Sequence, residues 1–566
     1  MSGIDWAVLI GTIAFIVGYG TWKSRNITDV DGYIRGGRTL GWATVGLSVM
    51  ATQASAITFL STPGQGFEAG MGFVQFYLGL PIAMVVISAV FLPIYYKLKV
   101  YTAYEYLETR FDGRMRIVGA VLFLIQRGLA AGLTIFAPSI VLSSALGWNL
   151  MQTVWILGIV VIGYTVSGGT AAVSQTQKQQ MVVILLGMVA AAVLLVTQLP
   201  EQVPFTEALH TAGALNHMEI INTDFDPNSR YTVWSGLFGG FFLAMAYFGT
   251  DQSQVQRYLS ARTLRESRLG LLFNGVLKIP MQFGILLIGI LLFVHHIYAP
   301  QPMWFNEQAL ETATVADALA VSELQGAWDE SWQTRQEASD AFLAARQAGD
   351  VQAEEAARAA MNVSHDQLQA TRAEFVGVLE AADPDAALQD ADHVFITYII
   401  TAMPVGLVGL LLAVILSAAM SSTASELNAL GATTTMDIFR RAKPDASETT
   451  LFRASKAFTV MWGGIALLFA TFASLIDNLI EAVNILGSLF YGTMLGIFVV
   501  AFFAKRVGPK AVFIGACVGQ ALLIYLYFGT ELGFLWFNVF GTLTVLFVSL
   551  LLSYVMDDPS PGERTE

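Results

Sequence analysis

The feature that most constrains this chain is the recurrence of apolar runs about 20 residues long. A helix rises 1.5 Å per residue, so ~20 residues cross the ~30 Å hydrocarbon core of a bilayer. Thirteen such runs occur, at 5–21, 40–62, 71–96, 116–146, 149–166, 179–198, 231–250, 269–298, 394–431, 453–475, 479–503, 509–528 and 533–554. Lipid leaves no water to satisfy a backbone amide, so segments of this length must satisfy it internally, as helices. The expected class is an all-α membrane protein with about 13 transmembrane helices. Composition agrees: 55% of residues are hydrophobic and 13% charged, against roughly 25% charged in soluble proteins.

Short connections alternate in Lys/Arg content, which sets orientation. Lys23, Arg25, Arg35 and Arg38; Lys97, Lys99, Arg110 and Arg114; Arg257, Arg262, Arg265 and Arg268; Arg440, Arg441 and Lys443; and Lys505, Arg506 and Lys510 mark one side. This places the N-terminus outside and the C-terminus in the cytoplasm of a cell (plasma) membrane protein. No basic region precedes the first run, whose early charge is Asp5, so it reads as a retained helix and not a cleaved leader. A single cysteine, Cys517, excludes an intrachain disulfide. The net charge of -13 is spread over loops, and no basic patch suggests nucleic acid. The partner this implies is the lipid bilayer.

One stretch differs. From Ala320 to Ala382 the sequence is rich in Ala, Glu, Gln and Arg, lacks proline and is interrupted at Ala348-Gly349-Asp350, the pattern of a helical hairpin. Leu324, Trp328, Phe342 and Ala345 on one arm, and Leu368, Phe375 and Leu379 on the other, give each an apolar stripe. Such a hairpin decorates an outside loop, or serves as a lid or partner surface.

Polar residues inside apolar runs carry the functional information. The second run reads "MATQASAITFLSTPGQG" from Met50 to Gly66, with Thr52, Gln53, Ser55 and Thr58 at its centre and Pro63-Gly64 near its end. Irregular backbone at membrane depth survives only inside protein or along a cavity. Unwinding near Ala51 to Ser55 would free carbonyl oxygens for a hard cation. In the ninth run Ser421 and Ser422 offer hydroxyls, and Ala418 a carbonyl if the helix loosens there. A neutral oxygen cage suits Na⁺ better than a divalent ion, which recruits carboxylates. Small-residue helix packing explains the same serines without an ion.

The motifs "ASAITFLSTPG" (54–64), "VYTAYEYLETRF" (100–111), "TIFAPSIVLSSALG" (134–147), "SGGTAAVSQTQKQQ" (167–180), "GTDQSQVQRYLSA" (249–261) and "SAAMSSTASELNALGATTTMDIF" (417–439) together resemble the sodium/solute symporter family. That resemblance implies a LeuT-type 5+5 inverted repeat formed by spans two to eleven, with the sodium ion as coupling ion and the solute near the midplane. On that reading 1–39 is an extra N-terminal helix and loop, and 40–298 the first repeat and the start of the second. The insertion is 299–392, the remainder of the second repeat 393–503, and two further helices with a short tail 504–566. Span seven, which softens at "AMAYFGTDQSQ", is the counterpart of span two. The resemblance assigns Ala51 and Ala54 as backbone sodium ligands, with Ala418, Ser421 and Ser422 opposite.

Two departures matter. Many members carry an Asp after Gly-Gly-x-x-Ala-Val-x-x-Thr, linked in some to a second sodium site; here Gln177 and Lys178 follow Gly168, Gly169, Ala172, Val173 and Thr176. One coupling sodium is the expectation. The polar contact set of sugar-carrying relatives is replaced by Thr58, Tyr77 and Ala244, although Tyr247 and Lys278 match. Gln53 falls where some relatives carry Asp.

Arg127 lies about ten residues, or ~15 Å, into its span. An intramembrane charge marks a functional site or an internal pair. Either Arg127 joins Lys278 in attracting a carboxylate, or it pairs with Glu426 or Asp251. Asn484, Ser488 and Tyr491 are spaced to share a face and are candidate cavity-lining groups. The function expected is a sodium-coupled symporter for a sugar, polyol or carboxylate. A transporter-like sensor or a passive channel is the alternative. No HExxH, GxSxG or phosphate-loop pattern points to an enzyme.

Overall fold

The computed structural model describes residues 1–24, 29–383, 390–473 and 479–556. Arg25, the end of the tenth expected span and the tail from 557 lie outside these. Among the described residues the architecture is helical, apart from one isolated bridge between Leu40 and Ala261. Among the described residues nine helices are long and apolar enough to cross a membrane, with shorter apolar helices at Leu150–Val166, Ser235–Thr250 and Ala391–Ala402.

The elements that position the site are α1 (Gly3–Ser24), α2 (Trp42–Gln53), α3 (Ala56–Ala69), α4 (Gly113–Leu146) and α5 (Leu150–Gln198). They continue with α6 (Gly240–Thr250), α7 (Gln252–Leu259) and α8 (Leu264–Tyr298). The hairpin is α9 (Ala318–Ala348) and α10 (Val351–Ala382). After α11 (Ala391–Ala402) come α12 (Leu407–Thr433), α13 (Glu448–Ala470), α14 (Leu479–Phe503), α15 (Pro509–Gly529) and α16 (Leu535–Val555). The Leu407–Ala442 span is the most enclosed, and α12 packs on α4, α5 and α13.

Three expected boundaries shift. The run at 394–431 is not one span: α11 stops at Ala402, Gly406 takes φ +91, and the spanning helix begins at Leu407. Its new N-terminus is capped in trans, because the Asp5 carboxylate accepts the N–H groups of Gly406 (2.6 Å) and Gly409 (3.2 Å). Residues 167–178, expected as a connection, are helical. Gly169 (φ 59, ψ -176) bends the chain once within α5, packed against Tyr33, and the sixth span starts at Gly168. Pro63-Gly64 does not end a helix either. Pro63 sits inside α3, and Gly64 allows close approach of α11, since a Cβ there would lie 1.9 Å from the Ala391 carbonyl oxygen.

The hairpin forms around the turn at Gly349 (φ +72), and Trp328, Phe342, Ala345, Leu368, Phe375 and Leu379 are buried. It is fixed to the bundle. Trp328 Nε1 donates to the Gln301 carbonyl and Trp332 Nε1 to that of His296, both at 2.8 Å, and Arg372 pairs with Asp390 at 2.9 Å. Burial, then the nearby Arg335 and His217, pushes the hairpin's His365 down to about 4.

Candidate ion and solute site

The second expected span is broken, at Ala54 and Ser55, between α2 and α3. Thr52 Oγ1 back-bonds to the Ser48 carbonyl (2.8 Å), a local bond that competes with the helix ladder. Ser55, a favoured N-cap type, takes extended geometry (φ -77, ψ 176). Its N–H, which would otherwise close the ladder on Ala51, donates to Gln53 O instead (3.0 Å). The Ala51 carbonyl is thereby released.

Ser421 Oγ and Ser422 Oγ, on α12, approach that carbonyl at 3.2 and 3.3 Å. All three residues are buried, as are Ala54 and Ala418. Three of the five expected ion ligands therefore meet at one point. α12 does not loosen at Ala418: it runs unbroken through it, so that carbonyl has only the second lone pair every backbone oxygen keeps. The set is neutral oxygen, as a monovalent hard cation prefers. Among the described residues no group of His, Cys, Asp or Glu could hold a metal ion.

One turn below, Gln177 of α5 ties three helices together. Its Oε1 accepts from Ser48 Oγ (2.5 Å), and its Nε2 faces Thr52 Oγ1 (3.1 Å), Ser421 O (3.2 Å) and Ser425 Oγ (2.7 Å). An amide nitrogen with two N–H groups thus stands among three oxygens. The pairs Ser48/Thr52 and Ser421/Ser425, each four apart on a helix, were the sequence signal for this network.

Beside the break lies a cavity of about 80 Å³, lined by Gln53, Ser55, Ile57, Thr58, Phe76, Tyr77, Arg127, Leu243, Tyr247, Val483, Asn484 and Tyr491. Six of the expected solute residues, Gln53, Thr58, Tyr77, Arg127, Tyr247 and Asn484, face it together. Two expected residues are not part of this lining. Lys278 is not among the lining residues, although its Nζ comes within 5.5 Å of the ring centroid of Tyr77, which is. Ser488 turns from the cavity to accept a bond from Asn538 Nδ2 (2.9 Å), because the α14 face at that height packs on α16.

The second broken span ends α6 at Thr250 and restarts as α7, with Asp251 extended (ψ 120) between them. Asp251 Oδ1 caps α7, accepting from Ser253 N (2.9 Å) and Oγ (2.7 Å). Its Oδ2 accepts from Arg127 Nε (3.1 Å) and Nη2 and from Tyr491 OH (2.9 Å). Arg127 Nη1 also donates to Glu426 Oε1 (3.0 Å), whose other oxygen accepts from Thr134 (2.6 Å). Both expected acids hold the arginine at once. Arg257, counted among loop charges, is instead fully buried and donates to Gln256 Oε1 (3.0 Å).

A broken helix presenting a freed carbonyl to a serine pair, beside a cavity closed by a second broken helix, is the arrangement a coupled carrier needs. The family profile described as "Sodium:solute symporter family" matches residues 33–328 and 371–519. The chain belongs to the sodium:solute symporter family. The unmatched interval between those segments falls within the α9/α10 hairpin.

Relatives of this symporter include sodium-coupled monocarboxylate transporter 2 of Mus musculus, 26% identical over 93% of this chain and 72% of that one. The sodium/iodide cotransporter of Homo sapiens is also 26% identical, over 93% and 70%. A solved sodium-coupled sialic acid symporter, in a substrate-bound outward-open state, superposes with a TM-score of 0.77 at 22% identity over 99% of each chain. The fold is therefore the LeuT-type all-α bundle. This symporter is an integral, multi-pass membrane transporter and not an enzyme, with Na⁺ and a small solute as its cargo.

Proposed function

We propose that this symporter imports a small polar organic solute (a sugar, polyol or carboxylate) across the plasma membrane, with its N-terminus outside and its C-terminus in the cytoplasm. Sodium is held by the carbonyls of Ala51, Ala54 and Ala418 and the hydroxyls of Ser421 and Ser422. The solute occupies the cavity bounded by Gln53, Thr58, Tyr77, Arg127, Tyr247 and Asn484, with Lys278 behind it.

The observation that carries this reading is the release of the Ala51 carbonyl toward two serine hydroxyls. The same two-residue break turns Gln53 and Ser55 into the cavity wall, and Gln53 Oε1 is buried there without a hydrogen-bond partner among the described residues. An ion that fixes the break therefore fixes the wall the solute touches, which is a physical basis for coupling. Gln177 fills the neighbouring oxygen cluster with its amide, which supports one sodium per cycle. At -100 mV one sodium charge contributes ~2.3 kcal/mol, about fifty-fold in solute accumulation.

Thermal unfolding of the purified protein in NaCl or KCl, across sugars, polyols, carboxylates and amino acids, tests this. At least one sugar, polyol or carboxylate stabilises the protein more in sodium. Equal stabilisation in both salts for every solute would overturn the reading.

A further inference from the structure

The Arg127 set does not balance in charge. One guanidinium faces two carboxylates, Asp251 and Glu426, so the three buried side chains carry a net charge of -1 when all are ionised. An uncompensated charge away from water is costly, and inside a membrane span it marks a function. One further cation brings the set to zero.

Hydrogen-bond accounting shows which oxygen has room for it. Asp251 has none: Ser253 N and Oγ donate to its Oδ1, and Arg127 Nε, Arg127 Nη2 and Tyr491 OH to its Oδ2, five donors for ~four lone-pair sites. Glu426 is different. Its Oε1 accepts from Arg127 Nη1 (3.0 Å), and its Oε2 lies 2.6 Å from Thr134 Oγ1. That same hydroxyl oxygen lies 2.9 Å from the Ala130 carbonyl, one turn back on α4.

A hydroxyl owns one hydrogen and cannot fully bond two acceptors. With Glu426 ionised, Thr134 gives its hydrogen to Oε2 and only approaches the Ala130 carbonyl. With a proton on Oε2, the carboxyl donates to Thr134 and Thr134 donates to Ala130, so both contacts become hydrogen bonds. The two states need no heavy atom to move.

The charged and titratable groups facing Glu426 are Arg127 on α4 and Asp251 at the break between α6 and α7, with Tyr247 of α6 and Tyr491 of α14 around the guanidinium. The lysines of α5 and α13, helices also packed on α12, point elsewhere: Lys178 is exposed, and Lys456 Nζ lies 4.6 Å from the Phe452 ring centroid. Arg127 is itself a wall of the solute cavity, so one guanidinium separates the carboxyl from that space.

Sodium, read above between the Ala51 carbonyl and the α12 serines, supplies the same charge as a proton. Ser422 and Glu426 are four residues apart on α12, one turn or ~6 Å along its axis. Either cation alone neutralises the set, and the two together overshoot it.

Resting on that sodium site, we propose that Glu426 is a proton-binding site, filled in the sodium-free carrier and emptied when sodium binds. Sodium and proton exchange one for one, so the apparent sodium affinity follows pH.

The test uses the full chain purified in detergent, with sodium chloride against potassium chloride as the probe and no solute. In weakly buffered solution with a pH dye, sodium releases up to about one proton per carrier and potassium none. The sodium concentration giving half-maximal thermal stabilisation rises ~10-fold per unit of pH lowered, within the range of about pH 5 to about pH 9 where a buried carboxyl titrates. Glu426→Gln, neutral at every pH and still able to donate to Thr134, loses both the proton release and the pH dependence. Glu426→Asp keeps a titrating carboxyl and retains them. Proton release that persists in Glu426→Gln would assign the proton to another group and overturn the proposal, as would a wild-type sodium affinity independent of pH. If Glu426→Gln does not fold, the wild-type proton count decides, and a count near zero overturns the site. A wild type that does not respond to sodium at any pH would instead count against the sodium site beneath it.

Discussion

Replacing Arg127 by Gln should destabilise this symporter far more than a typical polar substitution. The guanidinium lies 3.0 Å from Glu426 and 3.1 Å from Asp251. The three side chains are 4%, 6% and 0% exposed, so solvent screens them little. At an effective dielectric of ~20, a pair at ~3 Å attracts by about 5 kcal/mol. Removing the arginine does not return the acids to water, because Asp251 stays as the cap of α7 and Glu426 stays on α12. Breaking one buried pair in this way costs ~3–5 kcal/mol. The two pairs share one guanidinium, so their losses do not simply add. The assay is thermal unfolding in detergent, followed by tryptophan fluorescence. Adding Glu426→Gln to Arg127→Gln removes one stranded charge and should recover ~1–3 kcal/mol, a coupling typical of residues in one network. Wild-type stability in Arg127→Gln, or a double variant worse than the single one, would refute the reasoning.

Other expectations follow from the same geometry. The flux ratio should be one sodium per solute, because the Gln177 amide occupies the oxygen cluster below Ala51; a ratio of two would contradict this. Asp5→Ala removes a cap made in trans to α12 and should lower unfolding stability by ~1–2 kcal/mol, with Asn at the same position losing less; no change would show the cap to be incidental. Gly64→Ala drives a methyl into the Ala391 carbonyl and should cost ~1–3 kcal/mol as overpacking does, read as reduced yield of folded protein.

Much of this was legible in the sequence, for physical reasons that differ by feature. Span length and the break near Ala51–Ser55 could be read because lipid forbids unsatisfied backbone, so polar residues at mid-span had to mean a cavity or an ion. Pro63-Gly64 misled because Gly64 serves packing against α11, and a breaker residue carries no mark of whether it turns the chain or lets a neighbour approach. Arg127 was recognisable as an intramembrane charge, with Asp251 and Glu426 as candidate partners, but that both hold it at once depends on α7's cap and α12 meeting at α4, which only tertiary structure shows. Lys278 was singled out by resemblance, and a spacing on α8 cannot show that its Nζ comes within 5.5 Å of the Tyr77 ring. The Gln177 network was written as Ser48/Thr52 and Ser421/Ser425 pairs, each on a different helix, and became readable once α5 lay between them.

The most direct test of sodium coupling at the Ala51 break is solute uptake into proteoliposomes under an imposed inward sodium gradient, comparing the wild type with Ser421→Ala/Ser422→Ala. The account predicts accumulation that collapses when potassium replaces sodium, and a double variant that needs ~100-fold more sodium for half-maximal uptake, the loss of two charge-oxygen contacts at ~1.5 kcal/mol each. Uptake that ignores the sodium gradient, or a double variant with unchanged sodium dependence, would contradict it.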